Sequence, residues 1–301
     1  MQSTRLIRRQ IQSTKNIAKI TKAMEMVSAA KMRKSQEAAL VARPYAEAAL
    51  KLLDNVSGSI KEKHPYPLTH KRPVQKLCLL VITSDKGLCG ALNSSVLKEA
   101  SKIIAENKDK QICVVAIGKK AERFFRTRQE VVGIFEGIGD TVELVETLPI
   151  SRMLMQDFLS EKYDKVIAVY TDFVSTLKQE VKVRPLLPVS ERSIKKTIDE
   201  LGADEAGRTD KLIDTTEYIF EPSPEEVLKK LLPNLVETQV FHIILESNAS
   251  EHSARMVAMK NSTDNAKDLL EDLKLYYNSA RQQKITQEMT EIAAGVTAQE
   301  G

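Results

Sequence analysis

Hydrophobic positions near both ends of the chain recur at alternating intervals of three and four residues, the spacing of helices that pack along one face. In the N-terminal segment, this spacing predicts a partly polar seam at Leu6, Gln10, Ser13, Ile17, Ile20, Met24 and Val27. The C-terminal segment repeats it at Leu269, Leu273, Tyr276 and Ala280, and again at Ile285, Met289 and Ile292. We expect helices over residues 1–57 and 223–296, with Pro44 kinking or interrupting the first and Gly295 ending the second.

Glycine and proline are absent from residues 1–43 and from residues 234–294. At about 1.5 Å per residue, these runs could form rods of roughly 65 Å and 90 Å. Such rods are far longer than the average globular helix of about 11–12 residues. Because each apolar stripe is narrow, we expect the two ends to pair as an antiparallel coiled coil, with the C-terminal helix extending past the N-terminal one at the tip.

Between the two ends, apolar β-branched runs alternate with helix-like segments. The runs predict strands at 77–83, 112–117, 131–135, 166–171 and 181–189, and Pro185 and Pro188 assign the last to a sheet edge. Helices are expected at 93–106, capped by Asn93 or Ser94, at 119–126 and at 140–159. We therefore expect an α/β fold with a Rossmann-like domain over 74–190, followed by a linker and short strand over 191–222.

Charge is concentrated in one segment. The chain has a net charge of +4, but residues 1–43 carry ten Lys or Arg against Glu25 and Glu37, a local net of +8. Such a segment could bind nucleic acid, an anionic membrane surface or an acidic protein lumen. We find no metal-ligand spacing and no cofactor fingerprint, and we expect no metal, no cofactor and no presequence. The three cysteines form no evident pair for redox control and indicate a reducing compartment.

Two alternatives follow from local motifs. The turn at 84–90 follows a strand and precedes a helix, where α/β enzymes bind ligands, so Cys89 could act as a nucleophile activated by Lys86. The plainer interpretation is a glycine-flanked turn around a small buried thiol. A nucleic-acid scaffold using residues 1–43 is the other alternative, although its cations surround the helix and its apolar positions form a seam.

Three segments, which together span nearly the whole chain, carry a specific resemblance. Residues 20–34 (ITKAMEMVSAAKMRK) resemble the N-terminal signature of the γ subunit of F-type ATP synthases, and residues 83–93 (TSDKGLCGALN) are similar to the central turn of that family. Residues 251–266 (EHSARMVAMKNSTDNA), followed by YNSARQ at 277–282 and ITQE at 285–288, look like its C-terminal signature.

The resemblance implies the central shaft of a rotary motor, with no active site of its own. The expected partners are the α and β subunits of the hexamer, the ε subunit and the membrane ring of c subunits. Ion flow would turn the shaft, and the shaft would drive catalytic β sites through different nucleotide affinities. The implied location is peripheral, at the cytoplasmic face of a bacterial inner membrane.

The resemblance also implies roles for individual residues. Contacts to the β subunit are expected at Arg281, Gln282, Thr286, Glu288, Arg255, Met24 and Cys89. Arg255 and Met24 are expected to lie near one another, so that a lysine at position 24 would create an unwanted ion pair and impair coupling. Tyr218 and Glu221 are expected at the base, close to the c ring and ε.

Overall fold

The fold is described from a computed structural model of the 301-residue chain, over residues 4–59, 66–138, 142–189 and 220–300. These residues form helices and strands in the order α1 (Thr4–Ser59), β1 (Lys76–Ile82), α2 (Leu92–Glu106), β2 (Gln111–Ile117), α3 (Lys119–Phe125), β3 (Glu130–Phe135), α4 (Leu144–Leu159), β4 (Lys165–Phe173), β5 (Gln179–Leu187) and α5 (Pro224–Glu300). The chain divides into a helical unit, residues 1–29 with 255–301, and a sheet unit, residues 30–254. The expected combination of long terminal helices and a central α/β sheet is confirmed.

In the helical unit, the two ends of the chain run antiparallel. The hydroxyl oxygens of Thr21 and Thr263 are 2.7 Å apart. Thr4 and Ile7 line the same groove as residues between Tyr276 and Thr290, so positions advance along one helix as they retreat along the other. The predicted antiparallel pairing is confirmed.

The predicted N-terminal seam is wrong by one residue. The buried and half-buried positions of this segment include Ile7, Ile11, Thr14, Ala18, Thr21, Glu25 and Ser28, and Met24 is the one predicted seam position that is half-buried. Leu6, Ile17, Ile20 and Val27 are instead 45–59% exposed. Small and hydroxylated residues let two helices approach closely, and the Thr21 hydroxyl remains satisfied by donating to the Ile17 carbonyl at 3.1 Å.

The C-terminal seam is also shifted in part. Leu273 and Ala280 are half-buried as predicted, but Leu269 and Tyr276 are 49% and 72% exposed. The half-buried positions beside them are Leu270 and Tyr277. Further along α5, Ile285, Met289 and Ile292 are 47–67% exposed. The described part of α1 therefore does not cover the last predicted seam positions of α5.

Both long helices continue through the residues expected to break them. Helix α1 includes Pro44, so the predicted interruption there is wrong, and a kink at Pro44 stays a prediction. Helix α5 passes Gly295 and ends at Glu300, so the predicted stop is also wrong. A glycine costs a helix interior only about 1 kcal/mol relative to alanine, too little to end an extended helix. A proline removes one backbone donor and leaves the hydrogen bonds of neighbouring turns available. Pro224 is the first residue of α5, one residue after the predicted start.

The sheet has the strand order β3-β2-β1-β4-β5, and all five predicted strands among the described residues are confirmed to within about two residues. The first four strands in this order are parallel, and β5 pairs antiparallel with β4 at the edge. Side chains of β1 alternate between two cores. One core joins the sheet to α4 and α5 through Leu80, Leu154, Phe158, Val240 and Ile243. The other joins it to α2 and α3 through Leu79, Val96, Ala100 and Phe125.

The predicted cap of α2 is wrong. The helix begins at Leu92, and Ala91 occupies the cap position without a side-chain hydrogen bond. Asn93 uses its side chain in the preceding turn instead. Helix α4 begins at Leu144, with a reciprocal capping box between Glu143 and Glu146. The predicted linker lies outside the described residues up to 219, as does most of the short strand predicted beside it.

A group of ionisable side chains is buried between β4, β5 and α5 in the sheet unit. Arg184 is 7% exposed, and its guanidinium carbon lies 5.6 Å from the centre of the Tyr170 ring. Lys182 forms a 2.8 Å ion pair with Asp172. Burial, reinforced by the Asp172 charge, raises the pKa of Glu246 from an ordinary 4.5 to about 7. Burial and the Arg184 cation lower the pKa of His242, one helical turn away, to about 4.

Candidate partner-binding surfaces

The helical unit leaves an aliphatic surface uncovered. We name the exposed residues Leu6, Ile17, Ile20 and Val27 the outer stripe. Their separations of 11, 3 and 7 residues place them along one side of α1. A run of large exposed aliphatic side chains on a helix is typical of a surface that another protein covers.

Sequence reasoning missed this surface because it assigned the same residues to the seam. The signal that would have found it is the series of small residues one position along, Thr14, Ala18, Thr21 and Ser28. Threonine, alanine and serine at seam spacing permit a close helix pair, and the larger neighbours are then left facing outward.

Four predicted contact residues lie together on the exposed C-terminal part of α5. They are Arg281, Gln282, Thr286 and Glu288. The Thr286 hydroxyl donates to the Gln282 carbonyl at 3.0 Å, and Lys284 approaches Glu288 at 3.5 Å. These interactions stay within the helix, so the surface combines exposed polar groups with the exposed Ile285 and Met289.

Met24 and Arg255 both belong to the helical unit but differ in exposure. Met24 is half-buried, whereas the Arg255 side chain is 7% exposed. The contact between Thr21 and Thr263 fixes the register, which sets residue 24 opposite about residue 260. Arg255 is then about 7.5 Å further along the axis, about 1.4 turns away. The register is compatible with the expected proximity, and a direct contact between the two stays a prediction.

Cys89 lies in the turn between β1 and α2, where its thiol is buried. Its side chain is 2% exposed. The Asn93 amide donates to the Cys89 sulfur at 3.1 Å and to the Ser84 hydroxyl at 2.7 Å, while the Ser84 backbone N–H donates to the Asn93 side chain at 3.0 Å. These contacts favour the plainer interpretation, a glycine-flanked turn around a small buried thiol, over a nucleophilic Cys89. The accessible side chain of this turn is that of Leu88, which is 62% exposed and has a positive φ of 63°, whereas Cys89 is buried.

A cavity of about 230 Å³ lies at the carboxyl ends of β1, β2 and β3, where α/β enzymes commonly bind ligands. One of its two acidic lining residues, Asp85, already has structural partners, because it accepts hydrogen bonds from the backbone N–H groups of Lys119 at 3.0 Å and Gly137 at 2.9 Å. Gly118 has a φ of 85°, and a side chain there would lie 2.1 Å from the Thr83 carbonyl oxygen. The hydrogen bonds of Asp85 and the close approach at Gly118 join the loops that follow β1, β2 and β3.

Of the two residues predicted for the base, only Glu221 belongs to the described part of the chain. Tyr218 lies outside the described residues. Glu221 is exposed, three residues before α5 begins. Within the described ranges, no helix is long and apolar enough to cross a membrane, and no cluster of three or more potential metal ligands occurs.

Comparisons with known proteins agree on one family. A family model described as ATP synthase matches residues 3–298. The chain is 44% identical over 302 residues to the ATP synthase gamma chain of Roseiflexus castenholzii, with 99% of each chain covered. It is also 44% identical over 305 residues to that of Dehalococcoides mccartyi, again with 99% of each covered. In fold, it resembles a chain of the mitochondrial ATP synthase rotor of Euglena gracilis, with a TM-score of 0.60, 19% identity and coverage of 94% and 98%.

Antiparallel terminal helices and an α/β sheet formed by the residues between them define the class of fold. The relatives match the sequence over 99% of its length. The chain therefore belongs to the ATP synthase gamma chain family.

Proposed function

We propose that this chain is the central rotor shaft of an F-type ATP synthase and that it transmits torque between a membrane ring of c subunits and the catalytic β subunits. The observation that carries the proposal is the outer stripe, since an antiparallel helix pair that exposes its larger aliphatic residues is built to be surrounded by other proteins. Membership of the gamma chain family supplies the identity of those proteins, the α and β subunits around the shaft and the ε subunit at its base.

The seam suits a shaft that must differ from one side to the other. Its small residues bring α1 and α5 close together, while the outer stripe and the charged positions of α1 lie on other faces. Each of three equivalent β subunits would therefore meet a different chemical surface. A change of contacts as the shaft turns can then favour different conformations at the three sites.

Contacts made and broken at every step should be individually weak. Arg281, Gln282, Thr286 and Glu288 are exposed, so ion pairs and hydrogen bonds to a β loop would be screened by solvent and worth about 0–1 kcal/mol each. A deeply buried ion pair would cost several kcal/mol to break and would hold the rotor at one angle. We assign these four residues to the β contact on this reasoning.

The remaining candidate residues are supported by different observations. The buried Arg255 and the half-buried Met24 would act near the level where β meets the shaft. Cys89 would act indirectly, by shaping a turn whose exposed residue is Leu88. Tyr218 and Glu221 are proposed for the contact with ε and the c ring, and the exposure of Glu221 is compatible with that role.

In this proposal the chain has no active site, and ATP forms on the β subunits. The complex would hold it peripherally at the cytoplasmic face of a bacterial inner membrane. The alternative of an enzyme based on Cys89 has no specific support, because the thiol is buried and hydrogen-bonded within its own turn.

The test is reconstitution of the complex from its α, β and ε subunits with and without this chain. We expect the chain to co-purify with α and β and to be required for ATP-driven rotation of a bead attached to the ε subunit. Arg281→Ala should weaken torque transmission, and Arg281→Lys, which keeps the charge, should restore part of it. Full ATP-driven rotation in the absence of the chain would contradict the proposed function.

A further inference from the structure

Two of the three cysteines are neighbours across the sheet, although 34 residues separate them in the sequence. In the parallel ladder between β1 and β2, Cys78 is the register partner of Cys113. Both side chains belong to the core on the α4 and α5 face. Adjacent strands lie about 4.7–4.9 Å apart, within the range of about 4.4–6.8 Å over which Cα atoms can be bridged by a disulfide. The sequence predicts no cysteine pair because the pairing depends on strand register.

The two thiols have unequal environments. Cys78 is fully buried, whereas Cys113, nearer the start of its strand, is half-buried. A hydrogen bond from the Cys78 thiol lowers the pKa of Cys113, and the same bond together with burial raises the pKa of Cys78. The accessible sulfur is therefore the better nucleophile, and the inaccessible sulfur stays protonated beside it.

The surrounding charges act against this activation without reversing it. Burial and the carboxylates of Glu130 and Asp157 raise the pKa of Cys113, but the hydrogen bond from Cys78 outweighs them. A partly accessible thiol that receives a hydrogen bond from a second thiol is the arrangement found in cysteines that respond to oxidants.

We propose that Cys113 and Cys78 form an oxidant-responsive dithiol, which a hydroperoxide converts to a disulfide between β1 and β2. The Cys113 thiolate attacks the peroxide O–O bond, so that with one proton taken up, hydrogen peroxide yields Cys113 sulfenic acid and one water. The Cys78 sulfur then attacks the sulfenic sulfur. The S–O bond breaks, the S–S bond forms, and the hydroxide leaves as water with the Cys78 proton. Two thiols and one peroxide thus give one disulfide and two waters.

The bond would close a loop from residue 78 to residue 113. That loop contains α2 and the turn at 84–90, which holds Cys89 and the exposed Leu88. Oxidation would therefore restrain the segment that presents this turn. The disulfide joins strands that are already paired, so it requires no rearrangement of the sheet.

The three cysteines fall on three different tryptic peptides, 77–86, 87–98 and 111–119, which makes the test direct. The reduced full-length chain is treated with hydrogen peroxide at neutral pH, quenched in acid, alkylated with N-ethylmaleimide, digested and mapped by mass spectrometry. We expect peptide 77–86 linked to peptide 111–119, with Cys89 still alkylated. Before oxidation, Cys113 should be alkylated at least about tenfold faster than Cys78, as expected for the more accessible and more ionised thiol.

Single substitutions separate the two steps. Cys113→Ser should abolish the linked peptide. Cys78→Ser, whose hydroxyl can still donate a hydrogen bond to Cys113 but cannot form a disulfide, should leave a sulfenic acid at Cys113 that dimedone traps. The proposal is overturned if both wild-type thiols remain alkylatable after peroxide treatment, or if Cys89 forms links as often as Cys78. The wild-type map decides the matter even if a substituted chain fails to fold.

Discussion

Replacing Glu246 with glutamine tests whether a neutral carboxyl group is buried between α5 and the sheet. Glutamine keeps the size and shape of the side chain and removes its titration. In the folded protein, burial and the Asp172 charge hold the pKa of Glu246 at about 7, while Arg184 acts in the opposite direction. The carboxyl group should therefore be protonated in the fold at pH values where it is ionised in the unfolded chain.

The sign and the size of the effect follow from linkage. Because the folded state binds this proton more tightly, the contribution of Glu246 is fully present below pH 4.5 and is lost as the pH rises through about 7. A rise in pKa from 4.5 to about 7 corresponds to about 3 kcal/mol, at about 1.4 kcal/mol for each tenfold change in proton affinity. The free energy of unfolding of Glu246→Gln, minus that of the wild type, should rise by that order between pH 4.5 and 7.5.

His242 conceals this slope in the wild-type protein. Its lowered pKa, about 4 against an ordinary 6.5, contributes stability that is present above pH 6.5 and is lost as the pH falls through 4. Between about pH 4.5 and 6.5, the two contributions therefore change in opposite directions and largely cancel. Glu246→Gln should expose the slope of His242, and His242→Gln should expose that of Glu246.

The assay is urea unfolding of the full-length chain at half-unit steps from pH 4.5 to 8, followed by circular dichroism. Hydrogen exchange of β4 peptides identifies the transition that belongs to the sheet unit. Other titrating groups cancel in the difference between variant and wild type. A difference that stays constant with pH would refute the reasoning, because it would mean that Glu246 is ionised in the folded protein.

Three further predictions concern the helical unit and the turn after β1. Ile7→Ala should destabilise the helix pair by about 2–4 kcal/mol and Leu6→Ala by less than about 0.5 kcal/mol, as measured by hydrogen exchange over residues 4–29. Equal effects of the two substitutions would contradict the assignment of Ile7, rather than Leu6, to the seam. In the reconstituted complex, Met24→Lys should lower the number of ions pumped per ATP and Met26→Lys should not, and unchanged pumping in both would end the proposed role of position 24. Asn93→Ala should lower the free energy of unfolding by about 1–3 kcal/mol, since its amide serves three polar atoms of the turn, and a change near zero in urea unfolding would count against those bonds.

Much of the fold was predictable because its signals are local. The apolar runs at 77–83 and 112–117 identify strands wherever they pair, and Pro185 and Pro188 exclude a central position for β5. Long stretches without glycine or proline identify the terminal helices. Helix ends were less predictable, since Asn93 is a good cap by composition but bonds to Ser84, and Gly295 stays helical at small cost.

The candidate surfaces were predictable only in part. Short signatures located Arg281 and its neighbours, and the structure leaves these residues exposed. The outer stripe was missed because periodicity gives the spacing of a seam but not its phase. Two series one residue apart, one aliphatic and one of small residues, satisfy the same spacing, and burial alone distinguishes them.

The sequence by itself determined that both ends are long helices, that an α/β sheet lies between them and which family the motifs indicate. Only the tertiary structure decided which side of α1 faces α5, which carboxyl group is buried beside Arg184 and which cysteines meet across the sheet. Periodicity and propensity act within a few residues along the chain, whereas helix phase, burial and strand register depend on groups that folding brings together from distant positions.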